Sequence, residues 1–347
     1  MKGNTVFFSS SPAVASSAAV GGIMEGKGPM SDCFDEINED PFFSCDTFEQ
    51  GESKLLKQTV LRALDKGSLT SRQIDVMFGG DLLNQCVGTT YGIRDLDIPF
   101  LGIYGACSTV TEGLLLSSLF VDGGYASRAL AVTSSHFCAA ERQYRFPLNY
   151  GGQRTPTSQY TATAAGALVV SAERLPPYVR AATVGKVVDM GVTDAANMGA
   201  AMAPAAYSSI RRFLDDTGLR PEFFDAIVTG DLGKVGSRLL CELFDRDGID
   251  IRSLHRDCGT MLYSFDKQDV HAGASGAGCA ASMLCGFFVP KLRSGEFRNI
   301  LFAATGALLS PTVNAQGESI PSISHAVWLS YENGSVPDIR FKRGRVN

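Results

Sequence analysis

The chain has 347 residues, of which 45% are hydrophobic and 19% are charged, and it contains 37 glycines. This composition is typical of a globular protein with a large core and many tight turns, and it excludes a disordered or fibrous chain. The formal net charge is −5 and the only basic cluster is the short tail 340–345, which argues against nucleic acid as the main partner.

The N-terminal segment carries no predicted targeting signal. Its apolar run, Val6–Phe8, is interrupted at once by three serines, so a secretory signal peptide is not expected. The least polar later stretch, Ala272–Pro290, is rich in Gly, Ala and Ser and lacks the long aliphatic run of a transmembrane helix. Nine cysteines without CxxC spacing indicate neither a zinc cluster nor a disulfide framework and favour a reducing compartment.

Next along the chain, a strand-like run ends at Gly105-Ala106-Cys107 and a helical pattern begins directly after it. The stretch from Gly113 to Val121 lacks any charge, which predicts a helix buried on all sides. A thiol at the N-terminus of such a helix meets oriented N–H groups that lower its pKa and prepare it for acyl transfer. The competing interpretation is a small buried residue at a cramped turn, because free cysteine is often buried for packing alone.

The second half of the chain repeats the first. Eight residues of 60–82 recur in 210–232 at a constant spacing of 150: Arg62, Leu64, Asp65, Leu69, Asp75, Gly80, Asp81 and Leu82 match Arg212, Leu214, Asp215, Leu219, Asp225, Gly230, Asp231 and Leu232. Short apolar strands such as 74–78 and 129–133 alternate with helices, including one predicted over 279–292. We therefore predict two duplicated α/β halves, 1–175 and 176–347, that form one body with layers ordered helix-sheet-helix-sheet-helix.

These features resemble the thiolase and ketoacyl-synthase superfamily. A closer, almost full-length resemblance is to the stage V sporulation protein AD family. It is based on the segments GGDLLNQ (79–85), IPFLGIYGACST (98–109), SSH with AERQYRFP (134–147), NYGGQRTPT (149–157), GVTDAANMGAAMAPAA (191–206), TGDLGKVGS (229–237) and ATGALLSPT (304–312).

The resemblance implies a thiolase-like fold and a binding function. It implies a protein of spore-forming bacteria that binds dipicolinic acid, usually as its calcium complex, while this ligand enters the developing spore. It further implies a peripheral position at the inner membrane of the forespore, beside integral membrane partners encoded with it, and otherwise a cytoplasmic protein. A homodimer is typical of the superfamily. No cofactor is expected besides the ligand.

The family comparison also bears on catalysis. Condensing enzymes of the superfamily need a base and an oxyanion-binding His or Asn from the second half. Here the corresponding loop contains Asp231, and Ala277 stands at the second position. A carboxylate near Cys107 opposes formation of the thiolate. We therefore expect a non-catalytic binding protein, with an acyltransferase or condensing enzyme that uses Cys107 and His136 as the alternative.

Five residues are candidates for the ligand site: Asp81, Cys107, His136, Arg142 and Asp231. Two carboxylates can contribute oxygen ligands to calcium, although Asp after a strand often caps a loop instead. An Arg in the predicted loop AERQYRFP can hold a carboxylate bidentately, or can pair with a glutamate. Asp194 and Asn197 are candidates for a lid, and the methionines that follow them are expected in the core. The four histidines do not form a recognisable transition-metal site.

Overall fold

The structure, a computed structural model, describes residues 1–144, 154–173 and 175–333. The basic tail at 340–345 and Arg145 of the AERQYRFP segment lie outside the described residues. The strands are β1 Thr5–Phe7, β2 Ala13–Gly22, β3 Glu36–Asn38, β4 Val76–Gly80, β5 Phe100–Gly102, β6 Arg128–Ser135, β7 Tyr160–Thr161, β8 Ala164–Ser171, β9 Tyr178–Thr183, β10 Ala226–Thr229, β11 His255–Asp257, β12 Ala274–Ser275, β13 Asn299–Ala307 and β14 Ser322–Ser330.

Helices connect most of these strands. They are α1 Ile23–Gly26, α2 Phe48–Lys66, α3 Val87–Ile93, α4 Thr109–Asp122, α5 Phe137–Tyr144, α6 Met198–Thr217, α7 Gly233–Arg246, α8 Cys258–Met261, α9 Ala277–Met283, α10 Val289–Arg293 and α11 Pro311–Ala315. Short 3₁₀ turns include Asn84–Cys86 and Ala106–Ser108. The helix predicted over 279–292 is present as a continuous helical segment, in which the π-helical turn Leu284–Phe288 joins α9 directly to α10.

Two sets of five strands have the same order and the same directions. In the first half the order is β5-β4-β6-β8-β2, and in the second it is β11-β10-β13-β14-β9. Within each set the first three strands are parallel and the last two are antiparallel to their neighbours. The duplication that the sequence indicates is therefore present in the topology, while the division of the chain at 175 and 176 stays a prediction.

The layers have the predicted order. Helix α2 packs on β2, β6 and β8, and α6 packs on β13 and β14, so both cover outer faces of the sheet. Helix α4 contacts β4, β6 and β8 of the first set and also β13 and β14 of the second. Because α4 also touches α9, these two helices form the buried central layer, and the five-layer architecture is confirmed.

The repeated aspartates that precede the second strand of each set make the same contacts. Asp75 Oδ2 accepts hydrogen bonds from the N–H groups of Ser127 and Arg128 at 2.7 and 3.0 Å. Asp225 Oδ2 accepts from the N–H groups of Arg298 and Asn299 at 2.6 and 2.8 Å. Each carboxylate thus links one strand to the start of its parallel neighbour, so the repeated aspartate has a structural role in both halves.

Candidate functional site

The turn that carries Cys107 is fixed by close backbone contacts. Gly105 donates its N–H to Thr109 Oγ1 at 3.1 Å, and its carbonyl accepts from Ser108 Oγ at 2.7 Å. Strand β13 runs directly against this turn, since a Cβ on Gly306 would lie 1.9 Å from the carbonyl oxygen of Gly105. Only glycine permits that approach, so β13 of the second half positions a cysteine of the first.

Cys107 faces a buried carboxyl rather than a histidine. Burial raises the pKa of the Cys107 thiol well above its usual range, and the charge of Asp231 and a hydrogen bond to it raise the pKa further. Hydrogen bonds from the backbone N–H groups of Gly276 and Cys107 lower the pKa, but their effect is weaker. The thiol is therefore protonated at neutral pH, and the activating effect predicted from its place at a helix start is outweighed.

Asp231 is itself perturbed. Its Oδ2 accepts from the N–H of Gly276 at 2.8 Å, whereas Oδ1 has no hydrogen bond of acceptable geometry in the described part of the chain, although the thiol of Cys107 is near enough to interact. Burial raises the pKa of this carboxyl to about 7. An acid poised near neutral pH with an unsatisfied oxygen is a feature of binding and catalytic sites.

Cys107 and Asp231 line one cavity of about 640 Å³, open solvent at its mouth included. Its wall is largely apolar, with a polar end formed by these two residues, Thr161 and Ser275. The described lining includes no lysine or arginine. The other lining residues are Leu82, Ala106, Ala140, Glu141, Tyr144, Ala195, Met198, Met202, Ala307 and Leu309.

The loop that presents Asp231 depends on Asp257. Oδ2 of Asp257 accepts from Thr229 Oγ1 at 2.7 Å and from the N–H of Leu232 at 2.8 Å, and Oδ1 accepts from the N–H of Gly233 at 3.0 Å. The same oxygen also accepts from the N–H of Thr260 at 3.0 Å. Asp257 therefore caps this loop and positions Asp231, a contribution that the sequence did not reveal.

Asp81 does not share the position of Asp231 in the cavity. Its Oδ1 accepts from the N–H of Leu83 at 2.8 Å, and its Oδ2 accepts from the N–H and hydroxyl of Thr89 at 2.7 Å each. It lies beside the buried Glu52, and the charge of Asp81 together with burial raises the pKa of Glu52. The structure thus places Asp81 as a loop cap, whereas Asp231 is the carboxyl that lines the cavity.

His136 and Arg142 also lie outside the cavity lining. The Nε2 atom of buried His136 is 2.7 Å from the carbonyl oxygen of Pro41, and burial lowers the pKa of its imidazole. Arg142 pairs with Glu49, the structural alternative that the sequence left open. Neither side chain approaches Cys107, so the structure does not form the Cys107–His136 pair of the alternative enzyme.

Segment 140–144 contributes to the site as part of a helix and not as the predicted loop. The sequence predicted a loop there, but the residues belong to α5, and Glu141 and Tyr144 line the cavity. Asn197, one of the two lid candidates, caps the N-terminus of helix α6, where its Oδ1 accepts a hydrogen bond from the N–H of Ala200 at 3.4 Å. The methionines Met198 and Met202, expected in the core, both line the cavity, and Met202 is at the same time buried in the hydrophobic core with Met198 packed against it.

The position that the superfamily resemblance assigns to Asn or His is apolar. Ala277 is fully buried and packs in a small cluster with Leu82, Ala106, Cys107 and Ala140. The remaining histidines have structural partners: Asp269 for His271, Thr229 for His255 and the N–H of Gly185 for His325. The described lining of the cavity around Cys107 contains neither an asparagine nor a histidine.

Two further observations concern the chain outside this cavity. Within residues 1–144, 154–173 and 175–333, no three His, Cys, Asp or Glu side chains are grouped so that they could hold a metal ion. In the same part of the chain, none of the helices combines the length and the apolar character required to cross a bilayer.

Comparisons with known proteins agree with this architecture. A family model described as stage V sporulation protein AD matches residues 2–330. Stage V sporulation protein AD of Bacillus subtilis (strain 168) is 42% identical over 322 residues, which cover 93% of this chain and 95% of that protein.

Solved condensing enzymes share the fold at low identity. The 3-oxoacyl-[acyl-carrier-protein] synthase III of Aquifex aeolicus VF5 aligns with a TM-score of 0.55 and 13% identity, over 92% of this chain and all of that one (100%). A variant of OleA from Xanthomonas campestris aligns with a TM-score of 0.59 and 12% identity, over 93% and 99% of the two chains. These structures establish a thiolase-like fold and nothing about activity.

Proposed function

Because the chain belongs to the stage V sporulation protein AD family, we propose that its cavity binds a small ligand and does not transform it. The ligand that family membership suggests is dipicolinic acid, held as its calcium complex during uptake into the developing spore. One observation supports a binding role above all others: burial, and after it the facing carboxyl of Asp231, raise the pKa of the thiol at the start of the central helix.

The lining suits a flat aromatic ligand with a polar end. Apolar side chains such as Leu82, Met198 and Met202 can cover ring faces, while Thr161, Ser275 and Asp231 offer polar contacts. A free dianion would enter a site that has carboxyls and no described cation in its lining, at a large desolvation cost. A neutral calcium chelate avoids that cost.

The calcium ion would have to arrive with its chelator. Calcium takes six to eight oxygen ligands, and the described residues include no group of three that could hold a metal. Asp231 could supply one carboxylate, and dipicolinate and water the rest. Because the pKa of Asp231 is about 7, binding of the cation would displace a proton from this carboxyl.

We expect saturable binding of calcium dipicolinate that tightens about tenfold between pH 6 and pH 8, as Asp231 loses its proton. Asp231→Asn should weaken binding roughly tenfold to a hundredfold and remove this pH dependence. The Cys107→Ala variant should still bind the ligand, because the thiol only forms part of the cavity wall. Isothermal titration calorimetry with and without calcium measures the affinity of the wild type and of both variants.

Asp75→Asn is the control for loss of a carboxylate, since Asp75 lies outside the cavity lining and a single oxygen accepts both of its backbone hydrogen bonds. Its affinity should equal that of the wild type. If the wild type fails to bind dipicolinate in either condition, the ligand is wrong. Covalent acylation of Cys107 by acyl thioesters, seen as a mass increase that Cys107→Ala abolishes, would instead establish the acyltransferase alternative.

We further propose that the protein forms a homodimer, for which β5 offers a surface. Within the described residues this strand is at the end of the sheet and pairs with β4 alone, and Leu101 on the strand and Tyr104 just after it are 48% and 44% exposed. An exposed apolar strand edge readily adds a second strand.

We also propose, on the basis of family membership, that the protein acts beside integral membrane partners at the inner membrane of the forespore.

Leu101→Asp should convert the dimer into a monomer, because a charge on a strand edge opposes strand addition. Light scattering after size-exclusion chromatography measures the mass directly. Leu61→Asp, at a residue of α2 that is 46% exposed, is the control and should leave the mass unchanged. A wild-type monomer at micromolar concentration would contradict the dimer.

A further inference from the structure

Helix α5 forms one wall of the cavity and is held very differently at its two ends. At its start, the ring of Phe137 stacks on Tyr160 with 4.1 Å between centroids, and the N–H of Phe137 donates to Thr163 Oγ1 at 3.0 Å. The preceding His136 is buried against Phe43 and Phe48. The first turn of α5 is thus anchored in the core by aromatic packing.

The last turn of α5 is held by polar contacts to a facing turn. Gln143 Nε2 donates to the carbonyl of Leu82 at 3.1 Å, and Gln143 Oε1 accepts from the N–H of Asn84 at 2.9 Å. The Tyr144 hydroxyl donates to the same Leu82 carbonyl. Because that hydroxyl has one proton, the contact of 2.9 Å between Tyr104 and Tyr144 must be a donation from Tyr104.

Both sides of this contact also belong to the cavity lining. Leu82 lies on the facing turn and Tyr144 on α5, and each contributes to the wall. Asp81 fixes the facing turn, in which Gln85 and Cys86 adopt positive φ angles of 58° and 51°. Non-glycine residues in this region are strained, so the turn keeps its shape only because its surroundings impose it.

We propose that Gln143 and Tyr144 form a latch that holds the end of α5 against the turn at Leu82–Asn84, so that release of these hydrogen bonds opens the cavity to Cys107 and Asp231. A helix end held by a few partly exposed polar contacts is the kind of element that opens locally while the core stays folded. The latch would control ligand entry, and in this respect the proposal rests on the proposed function of the cavity.

Alkylation of Cys107 tests the latch without any ligand. The double variant Gln143→Ala/Tyr144→Phe removes the side-chain hydrogen bonds to Leu82 and Asn84 and keeps an aromatic ring at position 144 in the cavity wall. Its Cys107 should react with iodoacetamide about tenfold faster than in the wild type. Peptide mapping by mass spectrometry quantifies each cysteine separately, and the fully buried Cys279 reports on global unfolding in the same sample.

The control variant is Tyr207→Phe, which removes a hydroxyl contact to Asp247 on the surface of α6 and should leave the Cys107 rate unchanged. An unchanged rate in the double variant would overturn the latch, as would a Cys107 rate that rises only in step with that of Cys279. Since no dipicolinate is added, failure of the latch and failure of the proposed ligand are separate results.

Discussion

Asp231→Asn should make the protein more stable, and the gain should grow by about 3 kcal/mol between pH 5 and pH 8. The pKa of this carboxyl rises from 3.8 to about 7 on folding because the group is buried. Between these two values only the unfolded chain releases the proton, so rising pH favours unfolding across this window. Above about pH 7 both states are ionised and the loss, about 4 kcal/mol in total, is complete.

Asparagine stays neutral and keeps an oxygen that can accept from the N–H of Gly276, so the variant escapes this pH-dependent loss. Urea unfolding at pH 5, 6.5 and 8 measures the difference in the free energy of unfolding. Asp65→Asn, which removes a carboxylate on the outer side of α2, is the control for loss of a charge. A stability difference that is constant with pH would show that Asp231 is ionised in the folded protein throughout this range.

The same substitution should weaken ligand binding, so stability and binding would change in opposite directions. A buried acid that reduces stability at neutral pH and yet is positioned by Asp257 and Gly276 fits a group retained for contact with a ligand. An Asp231→Asn variant that is both more stable and equally good at binding would remove this argument for the site.

Asp257→Ala should destabilise the protein by about 3–5 kcal/mol at pH 7. Burial raises the pKa of Asp257 to about 6, so the group is mostly ionised there and accepts four hydrogen bonds. Alanine leaves the N–H groups of Leu232, Gly233 and Thr260 without this acceptor, whereas the Thr229 hydroxyl still has His255 within 2.9 Å. Urea unfolding measures the loss, and weaker ligand binding should accompany it because the Asp231 loop loses its support.

Asp250→Ala is the matched control for this substitution. Asp250 lies on the preceding loop, its side chain is 69% exposed, and it accepts from the N–H of Arg252 at 3.0 Å. Its removal should cost less than about 1 kcal/mol, as is usual for an exposed contact. An Asp257→Ala loss as small as that of the control would mean that these N–H groups find other partners.

The fold was predictable from sequence because repetition and hydrophobic pattern both depend on local residue order. The two Gly-Asp-Leu segments indicated the duplication, and the uncharged helix after Cys107 indicated the central layer. The different orientations of Asp81 and Asp231 were not predictable, because their local sequences match. In the first half Asp81 itself caps its loop through Thr89, whereas in the second half Asp257 performs the capping and leaves Asp231 in the cavity.

The other differences at the site have a similar origin. Periodicity shows that Met198 and Met202 are on an inward face of α6, but it cannot tell a packed core from a cavity wall. The sequence places His136 at a strand end that can face Cys107, but its hydrogen-bond partner is the carbonyl of Pro41, 95 residues away in sequence. Contacts between distant segments decide such roles, and one sequence alone contains no distances.

The position of the central helix α4 between the two halves determines whether a fragment of the chain can fold alone. Since α4 packs on strands of both halves, a fragment that ends after β8 would expose apolar surface on α4 that β13 and β14 cover in the whole protein. We therefore expect neither half to be a stable autonomous domain. The two halves of the whole protein should melt in a single transition. Fragments that correspond to the halves should be soluble only when they are co-expressed.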